Sequence, residues 1–511
     1  MSRLIVVSNR VNVTSGDGAS QGGLAMGLGA ALRKYTGLWF GWSGETTESF
    51  TGETRTVDVE GVPVVTVDLE EQDVQEYYNG YANRTIWPLF HYRIDLTAYD
   101  RSFGQGYERV NQRFAETLKP LLRPDDLIWV HDYHLLPLGR DLRRLGVNNP
   151  IGFFLHIPWP ARQLMATLPF HARLVESLFD YDLIGFQTQD WLQAFQDYVI
   201  AEAGGEEVSD NRLSAYGRTV RTGAFPIGID AEEFERTVKS AAAVRSYDLM
   251  AANSVYRSLI VGVDRLDYSK GLEERLFGFE RLLQDHPEYV GNAVLLQIAP
   301  PTREEVATYQ EIRASLEAQC GRINGEFADT DWAPIRYVHR SYRRDELAGI
   351  YRAAKVGLVT PLRDGMNLVA KEYVAAQNPR DPGVLILSSF AGAAAQMREA
   401  LIINPFSREE MADALHQALS MELPERTRRW EALIEGVRRD DIAAWRDSFV
   451  KALREARANG ARPPSPKALE RLRAQELRSF RQLGDASPIA DAKGGGGRDP
   501  GAAEADYVGQ R

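Results

Sequence analysis

The residues of this 511-residue chain that can do chemistry stand directly behind short apolar runs. Behind Leu4–Val7 come Ser8, Asn9 and Arg10, and further on the pair Gly22-Gly23. A glycine pair lets backbone N–H groups approach a phosphate, and a helix start beyond it adds positive potential. A ligand-free glycine turn is an equal alternative on that segment. Behind 127–130 come His131, Asp132, Tyr133 and His134, and behind 151–155 comes His156. One carboxylate and three imidazoles suit a metal site, an acid–base set or a hydroxyl-binding set, and their spacing is not one of the standard short metal patterns. Asp132 is a candidate for sugar hydroxyls, because a carboxylate accepts two hydrogen bonds at once. Behind 259–263, Arg265 and Lys270 share one loop. A guanidinium fork and an ammonium point charge suit a diphosphate. The plainer alternative is a surface ion pair with Asp264 or Asp267. Arg303 follows 293–298, so Arg10 and Arg303 form a second candidate anion site. The most informative stretch is Thr360–Glu372. A helix starting near Asn367 would leave the N–H groups of 367–369 free for a phosphate. Asp364 would then reach a sugar, while Glu372 would accept the hydroxyls of a ribose.

Positions behind strands are where open α/β sheets keep their ligands. Apolar runs at 4–8, 62–67, 127–131, 151–156 and 183–186 recur in style at 259–263, 293–298, 356–360 and 384–388. Amphipathic stretches such as 272–284 and 367–377 lie between or after them. Such alternation predicts parallel sheets covered on both faces, and two sets predict two doubly wound α/β domains facing a cleft. The boundary is expected in the polar stretch 230–252, giving domains over 1–235 and 236–455. From Asn459 the composition shifts through Pro463, Pro464 and Pro466 to a basic helical pattern at 467–482. The Gly-rich, polar residues 484–511 read as a disordered tail.

Composition excludes several classes. The net charge is −11, from 60 basic and 71 acidic residues, opposite to that of a generic nucleic-acid or anionic-membrane binder. A single cysteine, Cys320, rules out a disulfide framework or a multi-cysteine metal site. No run of 18 apolar residues occurs and the first ten residues do not read as a signal peptide, so a cytoplasmic protein is expected. The dinucleotide fingerprint and the P-loop are absent. Gly41-Trp42-Ser43-Gly44 misses the nucleophile-elbow form at Glu45. Asp180-Tyr181-Asp182 precedes a strand instead of ending one and reads as structural, so no metal and no cofactor are expected.

The motifs form one ordered set: SNR at 8–10, GG at 22–23, WFGWSGE at 39–45, YY at 77–78, Trp87, HDYHL at 131–135, LHIPWP at 155–160, DRLDYSKG at 264–271, IAPPTR at 298–303 and TPLRDGMNLVAKEY at 360–373. Over about residues 1–455 the chain closely resembles the trehalose-6-phosphate synthases, retaining glycosyltransferases of the two-Rossmann-domain (GT-B) fold. The resemblance implies transfer of glucose from UDP-glucose to glucose 6-phosphate. It implies an acceptor site at Arg10, Tyr78, Trp87, Asp132 and Arg303. It implies donor contacts at Gly22, Gly23, Arg265, Lys270, the backbone of Tyr342, the helix start Leu368, Val369, Ala370 and Lys371, and Glu372. His156 and Asp364 would surround the transferred glucose and, with Arg265 and Lys270, make the catalytic set. Tyr342 and Trp159 stand where the family often has Phe, and the resemblance puts Tyr342 near the base site, which leaves the donor base open between UDP, GDP and ADP. No D-x-D-x-[TV] phosphatase loop is present. Three alternatives stay open: a GDP-glucose donor, a cyclitol acceptor, or a catalytically silent sugar-nucleotide sensor. The intact set Arg10, Arg265, Lys270, Asp364 and Glu372 favours an enzyme. A homo-oligomer without nucleic-acid or membrane partners is expected.

Overall fold

The computed structural model describes residues 2–11, 32, 36–208, 211–253, 256–303 and 306–458. Gly22, Gly23 and the basic stretch and tail beyond 458 lie outside the described residues. Two sheets carry the chain. The first has ten strands, β1 (Leu4–Arg10), β2 (Leu38–Thr47), β3 (Thr54–Val59), β4 (Val62–Glu70), β5 (Leu127–His131), β6 (Ile151–Phe154), β7 (Leu183–Phe186), β8 (Glu206–Val208), β9 (Arg212–Ala215) and β10 (Arg218–Ala224), in the order β3-β4-β2-β1-β5-β6-β7-β10-β9-β8. Pairing is parallel from β4 to β10, and antiparallel strands finish both edges. The second sheet is wholly parallel: β11 (Ser258–Val263), β12 (Ala293–Ile298), β13 (Ile335–Val338), β14 (Val356–Val359), β15 (Val384–Ser388) and β16 (Leu401–Ile403), ordered β13-β12-β11-β14-β15-β16.

Burial on both faces explains the near-continuous apolar strands. In β1, Leu4 and Val6 enter one core cluster while Ile5 and Val7 enter another, as a two-residue repeat requires. In β11, Leu259 and Val261 face one cluster and Ile260 the next. The strand runs expected from sequence are present as β1, β4, β5, β6, β7, β11, β12, β14 and β15. The stretch WFGWSGE, weighed above only as a motif, lies in β2, between β1 and β4. Its Ser43 hydroxyl donates to Asp68.

The polar stretch after Ile229 holds the helices Ala231–Thr237 and Ala241–Asn253. A further feature is not legible locally: the last helix, Ile442–Ala458, lies against the first sheet. Phe449 stacks on Trp129 of β5 at 4.5 Å, and Trp445 lies 4.8 Å from the same ring. Gly152 and Gly185 make room for it, since a Cβ at either would meet the Phe449 ring at 2.8 Å.

Candidate active site

In each sheet two neighbouring strands lead in opposite directions, and the crevice at such a switch point is where ligands bind. In the second sheet the point lies between β11 and β14, and the loops that follow carry Arg265 and Lys270 from one side and Arg363 to Asn367 from the other. In the first it lies between β1 and β5, followed by Arg10 and Asp132. Three non-glycine residues in the loops behind β5, β12 and β14 have left-handed backbones: Asp132 (φ 75°), Arg303 (φ 49°) and Asn367 (φ 75°). Such conformations cost about 1–3 kcal/mol each and gather at functional sites.

Lys270 Nζ donates to Asp364 Oδ2 at 2.5 Å, joining the loops behind β11 and β14. Asn367 Nδ2 donates to the same oxygen at 3.2 Å. Burial pushes the Asp364 carboxyl up, and the Lys270 ammonium outweighs it, so the group sits below the ordinary carboxylate range. The plainer alternative for this loop does not hold for Lys270. Asp264 is taken by the buried Arg275 at 2.7 Å, and Asp267 faces Arg303 at 3.5 Å. Arg265 is exposed, with its guanidinium 5.6 Å from the Trp87 ring. The helix Leu368–Ala376 starts beside them with no side chain capping its first turn, so its leading N–H groups suit an anion. Gly365 is required by packing, because a Cβ there would lie 1.9 Å from the His156 carbonyl oxygen. Arg363 holds the same loop against the first half of the chain, its guanidinium 3.6 Å from the Tyr92 ring and 5.4 Å from Trp191.

A second cationic pocket forms around Arg303. Its guanidinium lies 4.1 Å over Trp87, donates to Tyr133 Oη at 3.1 Å and bonds Tyr309. Trp87 and Tyr133 belong to the first half and Arg303 to the second, so this pocket needs both. An aromatic row runs from it to Arg10. Tyr133 touches His134 (3.9 Å), His134 stacks on Tyr78 (5.9 Å), Tyr78 meets Trp42 (5.6 Å), and Arg10 lies 5.6 Å from Trp42. Tyr78 sits in the segment Val74–Ile86, wound as a π-helix, a rare form that is frequent at functional sites. The neighbouring Tyr77 donates to Asn9 Oδ1 at 2.8 Å.

Between the two pockets, Asp132 accepts the His156 amide at 3.2 Å. Burial pushes its carboxyl up to about 6, against the pull of the Tyr133 and His156 amides and of Arg265 and Arg303. His156 lies 3.0 Å from His131, and burial pushes its imidazole down to about 3. Glu372 lies 3.6 Å from Arg344, and burial raises its carboxyl to about 7. Lys371 follows the helix start but turns its ammonium to the Ile227 carbonyl, at 2.7 Å. Tyr342 is half-buried, with its hydroxyl accepting from Arg340 at 3.0 Å.

Asp180 and Asp182 are held by Arg218 (2.9 Å) and Arg143 (2.7 Å), in keeping with a structural role. Among the described residues one group has ligand-like spacing, His286, Glu288 and His416. The two imidazoles lie flat on each other at 3.9 Å and 8°, so their in-plane lone pairs run parallel, and Tyr289 lies 3.0 Å from His416 Nδ1. Sequence reasoning passed over Tyr309 and Gln187, and named Tyr133, Asn367 and Asp267 without the side-chain contacts they make here. Asp267 was visible inside the DRLDYSKG loop, but only its contact with Arg303 shows its place.

Two Rossmann-like sheets whose switch points face one another across cationic pockets define a nucleotide-sugar glycosyltransferase of the GT-B type. The chain belongs to glycosyltransferase family 20, whose model matches residues 2–455. It is 45% identical over 483 residues to a trehalose-6-phosphate synthase of Cronobacter sakazakii, covering 94% of this chain and 100% of that protein. It is similar to a UDP-forming alpha,alpha-trehalose-phosphate synthase from Burkholderia xenovorans solved in complex with glucose-6-phosphate (49% identity, TM-score 0.86, 89% of this chain and 100% of that one). A trehalose-6-phosphate protein from E. coli bound with UDP-2-fluoro glucose is also similar (45% identity, TM-score 0.84, 88% of this chain and 99% of that one).

Proposed function

We propose that the chain transfers glucose from UDP-glucose to glucose 6-phosphate, with retention, releasing UDP and α,α-trehalose 6-phosphate. The observation that carries this is the pair of cationic pockets on either side of Asp132, His156 and Asp364: Arg303 caged by Trp87, Tyr133 and Tyr309, and Arg265 with Lys270 beside an uncapped helix start. A hexose phosphate presents one dianion and several hydroxyls, and a nucleoside diphosphate sugar presents a diphosphate, a ribose and a hexose. Arg303, with Arg10 and Tyr78, takes the acceptor phosphate, Trp87 lines that pocket, and Asp132 takes acceptor hydroxyls. Arg265, Lys270 and the amides of Leu368, Val369 and Ala370 take the diphosphate, Glu372 the ribose, and the Tyr342 backbone the base. The glycine pair Gly22-Gly23 belongs to the donor side of this reading. Residues 1–235 form the acceptor-side domain, joined by the returning helix, and the second sheet forms the donor-side domain.

The Asp364 carboxylate is already engaged by Lys270 and Asn367, which disfavours a covalent glycosyl intermediate on it. Attack on the face from which the phosphate departs fits better. The acceptor hydroxyl loses its proton to the departing phosphate oxygen, while Arg265, Lys270 and the helix start stabilise the charge that develops there. With burial holding the His156 imidazole near 3, its role is to orient the sugar, not to take the proton. Offering UDP-, GDP- and ADP-glucose with glucose 6-phosphate tests the reading. UDP release coupled to disaccharide phosphate from UDP-glucose is the expected result, and tight binding without release would make the chain a sensor.

Asp132 gives the reaction a pH limb. Its carboxyl, at about 6, is charged above that pH and neutral below it, and only the charged form offers both oxygens to hydroxyls. The acceptor kcat/KM should fall about tenfold per pH unit below about 6. Asp132→Asn should lower activity and remove the limb; a limb that survives unchanged assigns it to another group. A chain ending at Gly460 should keep full turnover, since the family match ends at residue 455. Loss of turnover in a folded truncation would place a necessary group beyond it.

A further inference from the structure

The segment leading out of the first sheet passes Ile227, and hydrogen bonds tie it to the cleft. The Ile227 amide lies 3.0 Å from Gln187 Oε1. A backbone N–H can only donate, so the oxygen end of the Gln187 amide is fixed there. Its NH2 end then faces His156 Nδ1 at 3.3 Å. An NH2 group donates, so His156 Nδ1 carries no hydrogen and Nε2 carries it. That Nε2 lies 3.0 Å from His131 Nδ1, which must accept, and the His131 hydrogen moves to Nε2, a buried atom without a partner among the described residues. Behind Ile227, the ammonium of Lys371 donates to its carbonyl at 2.7 Å and to Gln396 Oε1 at 2.8 Å. Gln396 in turn donates to Asp440 Oδ2 at 3.1 Å, on the approach to the returning helix. Gln187 and Lys371 are each only 2% exposed.

We propose that Gln187 is a positioning residue: it holds His156 as the Nε2–H tautomer, in one ring orientation, by relaying the fixed polarity of the Ile227 peptide pinned by Lys371. The chain runs one way, from the Ile227 amide through Gln187 and His156 to His131. Its direction is set at the backbone, which cannot reverse. Burial keeps both imidazoles neutral, as this pattern requires, because a doubly protonated ring could not accept from Gln187. His156 therefore has both ring nitrogens engaged, Nδ1 by Gln187 and Nε2–H by His131, so its ring is held in one orientation beside the sugar. The same relay joins the donor-side helix, through Lys371, to the residue beside the transferred sugar. The catalytic consequence rests on the glucosyltransferase reading above; the tautomer does not.

Long-range 1H–15N spectra of the full chain labelled at histidine test this, with His156→Gln assigning the resonance. The wild-type spectrum should show His156 protonated on Nε2 alone. Gln187→Glu has no hydrogen to donate, and should move the His156 proton to Nδ1 and reverse His131. Gln187→Leu should leave the tautomer mixed and lower kcat about tenfold, the worth of one neutral hydrogen bond, with both KM values within about threefold. A wild-type His156 protonated on Nδ1 overturns the proposal, and so does Gln187→Leu with an unchanged tautomer and kcat. If Gln187→Leu does not fold, the wild-type spectrum and Gln187→Glu still decide. Absence of glucosyl transfer by the wild-type chain would sink the proposed function while leaving the tautomer measurement valid.

Discussion

Changing Arg265 and Lys270 together to Ala should abolish measurable turnover. Removing one preorganised donor from developing oxyanion charge typically costs about a hundredfold to a thousandfold in rate, so two on one leaving group should cost about ten-thousandfold or more. The two losses differ in kind. Arg265 is exposed, with its guanidinium 5.6 Å from the Trp87 ring, so Arg265→Ala should act on UDP binding and the leaving group with little effect on folding. Lys270 holds Asp364 at 2.5 Å, and its ammonium keeps a buried carboxylate ionised. Lys270→Ala should therefore also push the Asp364 carboxyl up and weaken its contact with the sugar. Steady-state UDP release checks both effects. EDTA should leave the wild-type rate nearly unchanged, and added magnesium should not restore the double variant. Rescue by magnesium would overturn the reading of these side chains as the charge-neutralising groups and return attention to carboxylates such as Asp180 and Asp182.

Arg303→Ala should weaken glucose 6-phosphate binding by up to about a hundredfold, as expected for a lost charge-assisted bond to phosphate, while donor affinity changes by less than about threefold. The pocket supplies a further cost. Asp267 is wholly buried and shares Arg303 with Tyr309, so truncation leaves a buried carboxylate short of its cation and should also lower Tm. Arg303→Lys separates the effects, because it keeps the charge for Asp267 but loses the fork over Trp87. Titration calorimetry with each substrate gives the comparison. Equal losses for donor and acceptor would remove Arg303 from the acceptor pocket.

Much of the candidate site was legible because a strand end is a local signal. An apolar run followed by polar, Gly-containing sequence marks the carboxyl edge of a buried strand, and Arg10, Asp132, Arg265, Arg303 and Asp364 all follow such runs. Other parts were not. β2 escaped the hydrophobic reading because WFGWSGE mixes large rings with Gly and Ser, and only pairing with β1 and β4 makes it a strand. The short β13 and β16 carry too few residues for a period to show. The return of Ile442–Ala458 to the first sheet depends on gaps left by Gly152 and Gly185, more than two hundred and fifty residues before the Phe449 that fills them.

By itself the sequence determined the class of both sheets, the strand ends that carry charged groups, and, through an ordered set of motifs, the family. These follow from hydrophobic period and residue type, which act over a few residues. Only the tertiary structure decided which charges meet. Lys270 had Asp264 and Asp267 within six residues and pairs instead with Asp364, because Arg275 and Arg303 occupy the nearer carboxylates. Burial and partner geometry likewise set the raised Asp132 carboxyl and the lowered His156 imidazole, which no spacing encodes. An ion pair forms where folding brings charges within a few ångströms in a low-dielectric site, and separation along the chain carries no information about that distance.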